Sequence, residues 1–138
     1  MIRLTRSYPF CASHRLHVAT LSNQANTDLY GKCNNPYGHG HNYLLEVTVT
    51  GDVEPKTGRV VNVGELDKLV RDSVVNDLDH RNLNEDRHEF AQTVPTTENL
   101  VTMIQERLKG AWPASFPKLS RIRIFETRKN IFEVQVGA

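Results

Sequence analysis

The sequence predicts an α+β domain in which a four-stranded antiparallel sheet is covered on one face by two helices. In four segments, apolar or small residues alternate with polar ones, which is the period of a half-buried strand. Two segments between the second and third of these have helical spacing instead. The resulting order, strand-strand-helix-helix-strand-strand, is typical of helices packed on one face of an antiparallel sheet. The length of 138 residues fits a single domain over residues 1–138.

Two predicted strands lie in the first part of the sequence. Residues 2–16 form the first, because the even positions from Tyr8 to Ala12 are apolar or small. Residues 22–35 are polar and rich in turn formers, so they are predicted to be a loop. Residues 39–50 form the second strand. Its buried face is predicted to hold the apolar side chains at alternate positions: Tyr43, Leu45, Val47 and Val49.

The hydrophobic period changes in the middle of the sequence. Turn formers follow the second strand, and residues 59–63 are predicted to extend a hairpin. Residues 63–78 have apolar side chains at helical spacing and form the first predicted helix. The polar stretch 79–93 is predicted to be a long loop, and long loops in compact domains often have a function.

The second helix and two more strands lie in the last part of the sequence. Pro95-Thr96-Thr97-Glu98 is a helix-start signal, because a hydroxyl caps the helix and an acid favours its first turn. The helix ends near Gly110. Residues 120–126 and 131–136 then alternate as strands.

Charge and hydropathy narrow the expected partners. The 17 basic and 16 acidic residues nearly cancel, so neither nucleic acid nor an anionic membrane is expected as a partner. No apolar run approaches the roughly 20 residues that cross a bilayer, and residues 1–6 lack the apolar core of a signal peptide. A cytoplasmic location is expected, with Cys11 and Cys33 as free thiols. The two open edges of the sheet favour association between copies of the protein.

Three histidines are the strongest candidates for metal ligands. Side chains two residues apart on a strand point the same way, so His39 and His41 share the buried face of the second strand, and His14 shares that of the first. Zinc held by three imidazoles keeps a fourth position open, as in catalytic sites. Cobalt, nickel or iron would accept the same nitrogens. His17 is the rival ligand but has the wrong parity, and His88 is predicted to be solvated.

A glycine-rich loop places a thiol close to these histidines in sequence. Cys33 lies in segment 31–41, whose glycines and proline permit sharp turns. A neighbouring cation lowers the pKa of a thiol and favours the reactive thiolate. The alternatives are a closed structural site in which Cys33 is the fourth ligand, or an inert thiol. Cys11 has the opposite parity to His14 and is predicted to be inert.

Two further features add acid–base groups. Asp79 next to His80 is suited to orienting the imidazole for proton transfer, although a solvated loop is the commoner explanation for such a pair. Glu126 continues the apolar face of Ile122 and Ile124, where a carboxylate is costly to bury without partners. A ring with adjacent N–H groups would be such a partner. The alternative is that the strand has ended and Glu126 lies in water.

Together these residues resemble the 6-pyruvoyl-tetrahydropterin synthase family. The matching motifs occur in the family's order and span nearly the whole sequence: FCASHRL at 10–16, GKCNNPYGHGHNY at 31–43, LDHRNL at 78–83, PTTEN at 95–99 and FET at 125–127. The GKCNNPYGHGHNY run is the specific one. The sequence departs from the family at Cys11, where serine is common, and at Arg128 and Lys129, which follow Glu126 where acidic and amide residues are common.

The resemblance implies a fold and an activity. The fold is the tunnelling fold (T-fold), in which the sheets of three subunits close into a barrel and two trimers stack as a homohexamer with sites between subunits. The implied reaction, a step of tetrahydrobiopterin biosynthesis, converts 7,8-dihydroneopterin triphosphate to 6-pyruvoyl-tetrahydropterin and eliminates triphosphate. The substrate's side chain is oxidised while its ring is reduced, so no external reductant is needed.

The resemblance also implies a role for each candidate residue. His14, His39 and His41 match the zinc ligands, and Cys33 matches the general base. Asp79 and His80 match the proton-relay pair, and Glu126 matches the acid that anchors the pterin ring. Thr96, Thr97 and Glu98 match a segment near the pterin pocket.

Two other functions compete with this one. A 6-carboxy-tetrahydropterin synthase of deazapurine (queuosine) biosynthesis would use the same substrate. In that relative the cysteine lies closer to the first histidine of the HGH pair, whereas five residues separate Cys33 from His39 here. A non-catalytic binding module stabilised by zinc would instead close the metal with Cys33 and the three histidines.

Overall fold

The computed structural model describes residues 1–137 and confirms an α+β arrangement. Its elements are β1 (Ile2–His14), α1 (Asn23–Tyr30), β2 (His39–Gly51), α2 (Val63–Val70), β3 (Arg81–Asn82), α3 (Leu83–Asp86), α4 (Thr97–Ala111), β4 (Lys118–Phe125) and β5 (Ile131–Gln135). Helix α2 continues through a π-helical turn, Arg71–Val75, into a last turn, Asn76–Leu78. Short 3-10 turns lie at Gly31–Asn34 and His88–Phe90.

The sheet has five strands, in the order β3-β1-β2-β4-β5. The four long strands pair antiparallel, as predicted. The fifth, β3, runs parallel to β1 and pairs Ala12 with Arg81 and Ser13 with Asn82. The predictions of a four-stranded sheet and of an unbroken loop over 79–93 are therefore wrong, because a two-residue strand is too short to show a period.

The predicted loop over 22–35 is also wrong in its first half, where α1 forms. The hydroxyl of Ser22 caps this helix by accepting a hydrogen bond from the backbone N–H of Ala25. Asn26, fully buried, accepts from the N–H of Val18 at 2.7 Å and donates to its carbonyl at 3.0 Å. A polar side chain thus anchors the helix where an apolar stripe would have revealed it. With α1 and α3, the domain has more than the two predicted helices.

Both predicted helices are present. Asn62 caps α2 by accepting from the N–H of Glu65 at 3.2 Å, and the helical path continues to Leu78. The hairpin prediction for residues 59–63 is wrong, since the backbone already enters the α2 cap there. Thr96 caps α4, whose apolar stripe is buried: Leu100, Val101, Ile104 and Leu108.

The core lies where α2 and α4 pack on the sheet. The predicted inward parity of β1 and β2 is confirmed by the buried side chains Tyr8, Phe10, Ala12, Tyr43, Leu45 and Val47. Phe10 and Tyr43 stack across the two strands with ring centroids 5.0 Å apart. Among residues 1–137, no helix is long and apolar enough to span a bilayer.

A partly exposed ion pair joins β1 to α2, with Asp67 largely buried and Arg6 half-exposed. Asp67 accepts hydrogen bonds from the Arg6 guanidinium at 2.7 and 3.1 Å and from the Tyr8 hydroxyl at 2.7 Å. These bonds, with that to Arg6 the largest cause, hold the pKa of the Asp67 carboxyl below its usual value. A carboxyl with a lowered folded-state pKa stabilises the fold above its unfolded pKa of about 3.9. This contribution is lost as the pH falls through the folded pKa.

We expect Asp67→Ala to destabilise the protein because it leaves the buried Tyr8 hydroxyl without its acceptor. Such a loss costs about 1 to 3 kcal/mol. Asp72→Ala on the same helical path is the control, since Asp72 forms only an exposed pair with Lys68 and should change little. Urea unfolding at neutral pH and near pH 3 measures both. Equal midpoints for the two variants, or a difference that does not shrink in acid, would contradict this assignment.

Candidate metal centre and active site

Three imidazoles converge at one end of the β1–β2 pair. The Nε2 atom of His39 lies 3.3 Å from Nε2 of His14 and 2.8 Å from Nε2 of His41. The three ring centroids are 4.6 to 5.0 Å apart. A tetrahedral ion with bonds of about 2.0 Å needs nitrogens about 3.3 Å apart, so this spacing fits a metal held by three nitrogens.

The strand register brings these rings together. His14, the last residue of β1, pairs with His39, the first of β2, and Ala12 pairs with His41. Because the register also sets which face each side chain takes, all three imidazoles lie on the side of the buried core. His14, His39 and His41 therefore lie together on the face that strand parity predicted.

The surroundings of His14 and His39 suit metal ligation. His14 is 1% exposed, and its Nδ1 lies 2.8 Å from the carbonyl of Pro95. That bond places the proton on Nδ1 and leaves Nε2 free as a ligand. A backbone carbonyl is a usual outer partner of a metal-bound histidine. Burial lowers the pKa of His14 to about 4, with further lowering from His39 and His41. Its neutral, ligating form is therefore favoured at neutral pH. The Nδ1 atom of His39 is buried without a partner among residues 1–137.

Cys33 lies on a turn anchored beside the end of β1. Its carbonyl accepts a hydrogen bond from the N–H of Leu16 at 2.7 Å, and the amide of Asn34 donates to the carbonyl of Leu16 at 2.7 Å. Gly38 then passes so close that a Cβ would meet the carbonyl oxygen of His14 at 3.1 Å. Its φ of 74° also favours glycine.

Cys33 is not one of the clustered ligands. Among residues 1–137, the imidazole group whose ligand atoms lie within 4.8 Å of one another contains His14, His39 and His41 alone. Burial, and then the charge of Glu126, raises the pKa of the Cys33 thiol. The prediction of a lowered pKa required a bound cation; without one, the protein itself shifts the pKa upward.

Glu126 closes the other side of the site. Strand β4 ends at Phe125, but Glu126 is half-buried and accepts a hydrogen bond from the hydroxyl of Thr97. Its negative charge acts on His14, His39 and Cys33. Within one subunit, therefore, a carboxylate, a thiol and three imidazoles share one site.

Tyr43 adds a group that strand periodicity had marked only as core. Its side chain is 1% exposed, and its hydroxyl has no hydrogen-bond partner among residues 1–137. Burial, with the charge of Glu126 adding to it, raises the pKa of Tyr43. The hydroxyl therefore stays protonated and is available as a donor. Its only sequence signal was its position two residues after the histidine pair, at the start of the apolar row of β2.

Of the other predicted residues, some contact the site and others do not. Thr97 joins the site through Glu126, whereas the hydroxyl of Thr96 is occupied by capping α4 and Glu98 is exposed. His17 turns away to contact the amide of Asn34 at 2.9 Å. His88 has a side chain that is 92% exposed.

Asp79 and His80 form a separate cluster around Cys11. The Nδ1 atom of His80 lies 3.1 Å from the Asp79 carboxylate, so the acid orients the imidazole as expected. The ligand atoms of Cys11, Asp79 and His80 lie within 4.8 Å of one another. Within one subunit the fold does not bring Cys33 into this cluster.

Comparison with known proteins agrees with these features. The family model for 6-pyruvoyl tetrahydropterin synthase matches residues 3–136. The protein is 51% identical to 6-pyruvoyl tetrahydrobiopterin synthase of Poecilia reticulata over 128 residues, covering 93% of this chain and 86% of the relative. It is 43% identical to the Homo sapiens protein of that name over 129 residues, covering 94% and 88%.

A solved structure extends the likeness to three dimensions. The 6-pyruvoyl tetrahydropterin synthase of Caenorhabditis elegans matches with a TM-score of 0.89 at 39% identity and covers 99% of this chain and 96% of its own. The predictions of an enzyme and of this family's subunit fold are confirmed. The chain belongs to the 6-pyruvoyl tetrahydropterin synthase family.

Proposed function

We propose that this protein converts 7,8-dihydroneopterin triphosphate to 6-pyruvoyl-tetrahydropterin with elimination of triphosphate, using zinc and Cys33. The observation that carries the proposal is the group of three clustered imidazoles, with Cys33 outside that group and subject to the same Glu126 charge as His39. A three-histidine set leaves a coordination position for substrate, as catalytic zinc sites require.

The metal and the thiol have complementary roles in this proposal. Zinc held by His14, His39 and His41 would act as a Lewis acid that increases the acidity of the C–H bonds next to the substrate's hydroxyl groups. The thiolate of Cys33 removes the proton. A raised thiol pKa makes that thiolate a stronger base once it is formed.

The pterin ring is assigned to the side of the site where Glu126 contacts Thr97. The carboxylate of Glu126 accepts paired hydrogen bonds from the guanidine-like edge of the ring, and Thr97 holds that carboxylate in place. Thr96 and Glu98 contribute less directly, since one caps α4 and the other is exposed. The unpaired hydroxyl of Tyr43 offers a further donor.

Assembly completes the proton relay. Asp79 and His80 cluster with Cys11 of their own subunit, so Cys33 needs the Asp79–His80 pair of a neighbouring subunit. A homohexamer, formed as two stacked trimers with closed barrels, would supply that pair. We assign the enzyme to the cytoplasm, where the pterin triphosphate is its small-molecule partner.

The identity of the product tests the proposal. Purified protein loaded with zinc is incubated with 7,8-dihydroneopterin triphosphate, and the products are identified by mass spectrometry. We expect a pyruvoyl pterin and inorganic triphosphate without acetaldehyde. Acetaldehyde with a carboxy pterin would show the deazapurine-pathway reaction instead. Absence of turnover in a protein shown to contain zinc would favour a non-catalytic zinc-stabilised module.

A further inference from the structure

We infer that Cys11, Asp79 and His80 form a second metal site, separate from the three-histidine centre, that takes a thiophilic divalent cation such as zinc. Their ligand atoms lie within 4.8 Å of one another, and all three belong to one subunit. A thiolate, an imidazole and a carboxylate are the donor types that zinc prefers. Thiolate in the set disfavours magnesium and calcium.

Backbone hydrogen bonds hold the three donors in place. The carboxylate of Asp79 accepts from the N–H of Cys11 at 2.8 Å, and the N–H of His80 donates to the carbonyl of Cys11 at 2.6 Å. Asp79 and His80 are therefore each held by a hydrogen bond to the backbone of Cys11. His80 has a φ of 62°, a conformation that non-glycine residues rarely adopt unless their surroundings impose it.

The thiol is oriented as well. The Sγ atom of Cys11 donates to the side-chain oxygen of Asn42 at 2.9 Å, which fixes its direction on the exposed face of the β1–β2 pair. Asp79 lies 3.1 Å from Nδ1 of His80 and orients that ring. The site is thus largely formed before any cation arrives, which lowers the entropic cost of binding.

A cation can reach these donors from solvent. The cluster opens into a cleft of about 510 Å³ that Ser13, Asn82 and Asp86 also line. The side chain of His80 is 80% exposed and that of Asp79 is 35% exposed. Binding replaces the thiol proton, which passes to the buffer, so occupancy rises with pH.

Occupancy of this site has a consequence for catalysis, and this part rests on the proposed function. A cation bound to His80 occupies an imidazole that the proton relay uses. Excess zinc should therefore inhibit turnover, while the first equivalent, at the three histidines, supports it. The presence of Cys11 makes the inhibitory site: a serine hydroxyl at that position is a far weaker zinc ligand than a thiolate.

Cobalt titration followed by absorbance separates the two sites. A cobalt ion bound by three histidines shows only visible bands, whereas a thiolate ligand adds a charge-transfer band in the near ultraviolet. We expect the unmodified protein to take a second equivalent that brings this band. Cys11→Ser should abolish the second equivalent and the band with it.

Matched variants make the outcome decisive. Cys33→Ser is the control for the other thiol and should keep the ultraviolet band, whereas His41→Ala should lose the first equivalent and keep the second. A band that persists in Cys11→Ser but disappears in Cys33→Ser would overturn the proposal. Because the spectrum requires no turnover, the second site and the proposed reaction succeed or fail independently. Relief of zinc inhibition in Cys11→Ser, with unchanged activity at one equivalent, then tests the regulatory consequence.

Discussion

Cys33→Ala is expected to keep one zinc ion per subunit and to lose activity by about 10²- to 10⁴-fold, the usual contribution of a general base. The reason is that Cys33 is not one of the three clustered ligands, while the charge of Glu126 acts on both its thiol and His39. Its anchors are also independent of the side chain, because the hydrogen bond to Leu16 is made by the Cys33 carbonyl. The fold and metal content should therefore survive the substitution.

The measurement combines kcat from a product assay with zinc content from atomic absorption. Cys11→Ala is the matched control, since it removes the other half-buried thiol and should leave turnover at one zinc equivalent unchanged. The competing assignment makes a different prediction. If Cys33→Ala releases zinc and unfolds at lower temperature, the thiol is a fourth ligand and the base must be sought elsewhere.

His41→Ala is expected to remove the metal from the three-histidine centre and with it almost all activity. Loss of several kcal/mol of charge stabilisation by the ion corresponds to about 10³-fold or more in rate. His41 is half-buried at the mouth of the site, so the substitution leaves no large cavity in the core. A metal that binds only the folded state adds about 2.7 kcal/mol at a concentration 100 times its Kd. In the Cys11→Ser background, which removes the proposed second site, zinc should therefore raise the melting temperature, and adding His41→Ala should abolish that rise.

His17→Ala is the critical comparison for this experiment. His17 is the rival ligand by sequence, but its ring contacts Asn34 rather than the clustered nitrogens. The variant should keep zinc and the zinc-dependent rise in melting temperature. In the Cys11→Ser background, retention of zinc by His41→Ala together with its loss from His17→Ala would refute the three-histidine assignment.

Strand parity was sufficient to predict from sequence which three imidazoles cluster. His14, His39 and His41 each continue an alternating apolar row, and a two-residue period leaves few choices about which face a side chain takes. The same reasoning identified the inward faces of β1 and β2. The stripe of α4 followed equally well from its 3.6-residue period.

Other features could not be predicted from the sequence because polar contacts determine them. Helix α1 depends on the buried amide of Asn26, and β3 on two residues pairing with β1, neither of which has a hydrophobic period. The Tyr43 hydroxyl and the clamp of Asp79 and His80 onto Cys11 arise from segments distant in sequence. Parity alone made Cys11 an inert thiol, whereas the fold surrounds it with potential ligands.

The pairing of His14 with His39 also affects where the fold can accept insertions and deletions. Between these paired residues the backbone leaves the sheet, forms α1 and returns, and the bonds of Leu16 to Cys33 and Asn34 hold the base of that excursion together. Residues gained or lost around α1 would then displace neither the imidazoles nor the thiol. We expect a reporter peptide inserted next to α1 to leave the imidazoles and the thiol in place for the same reason.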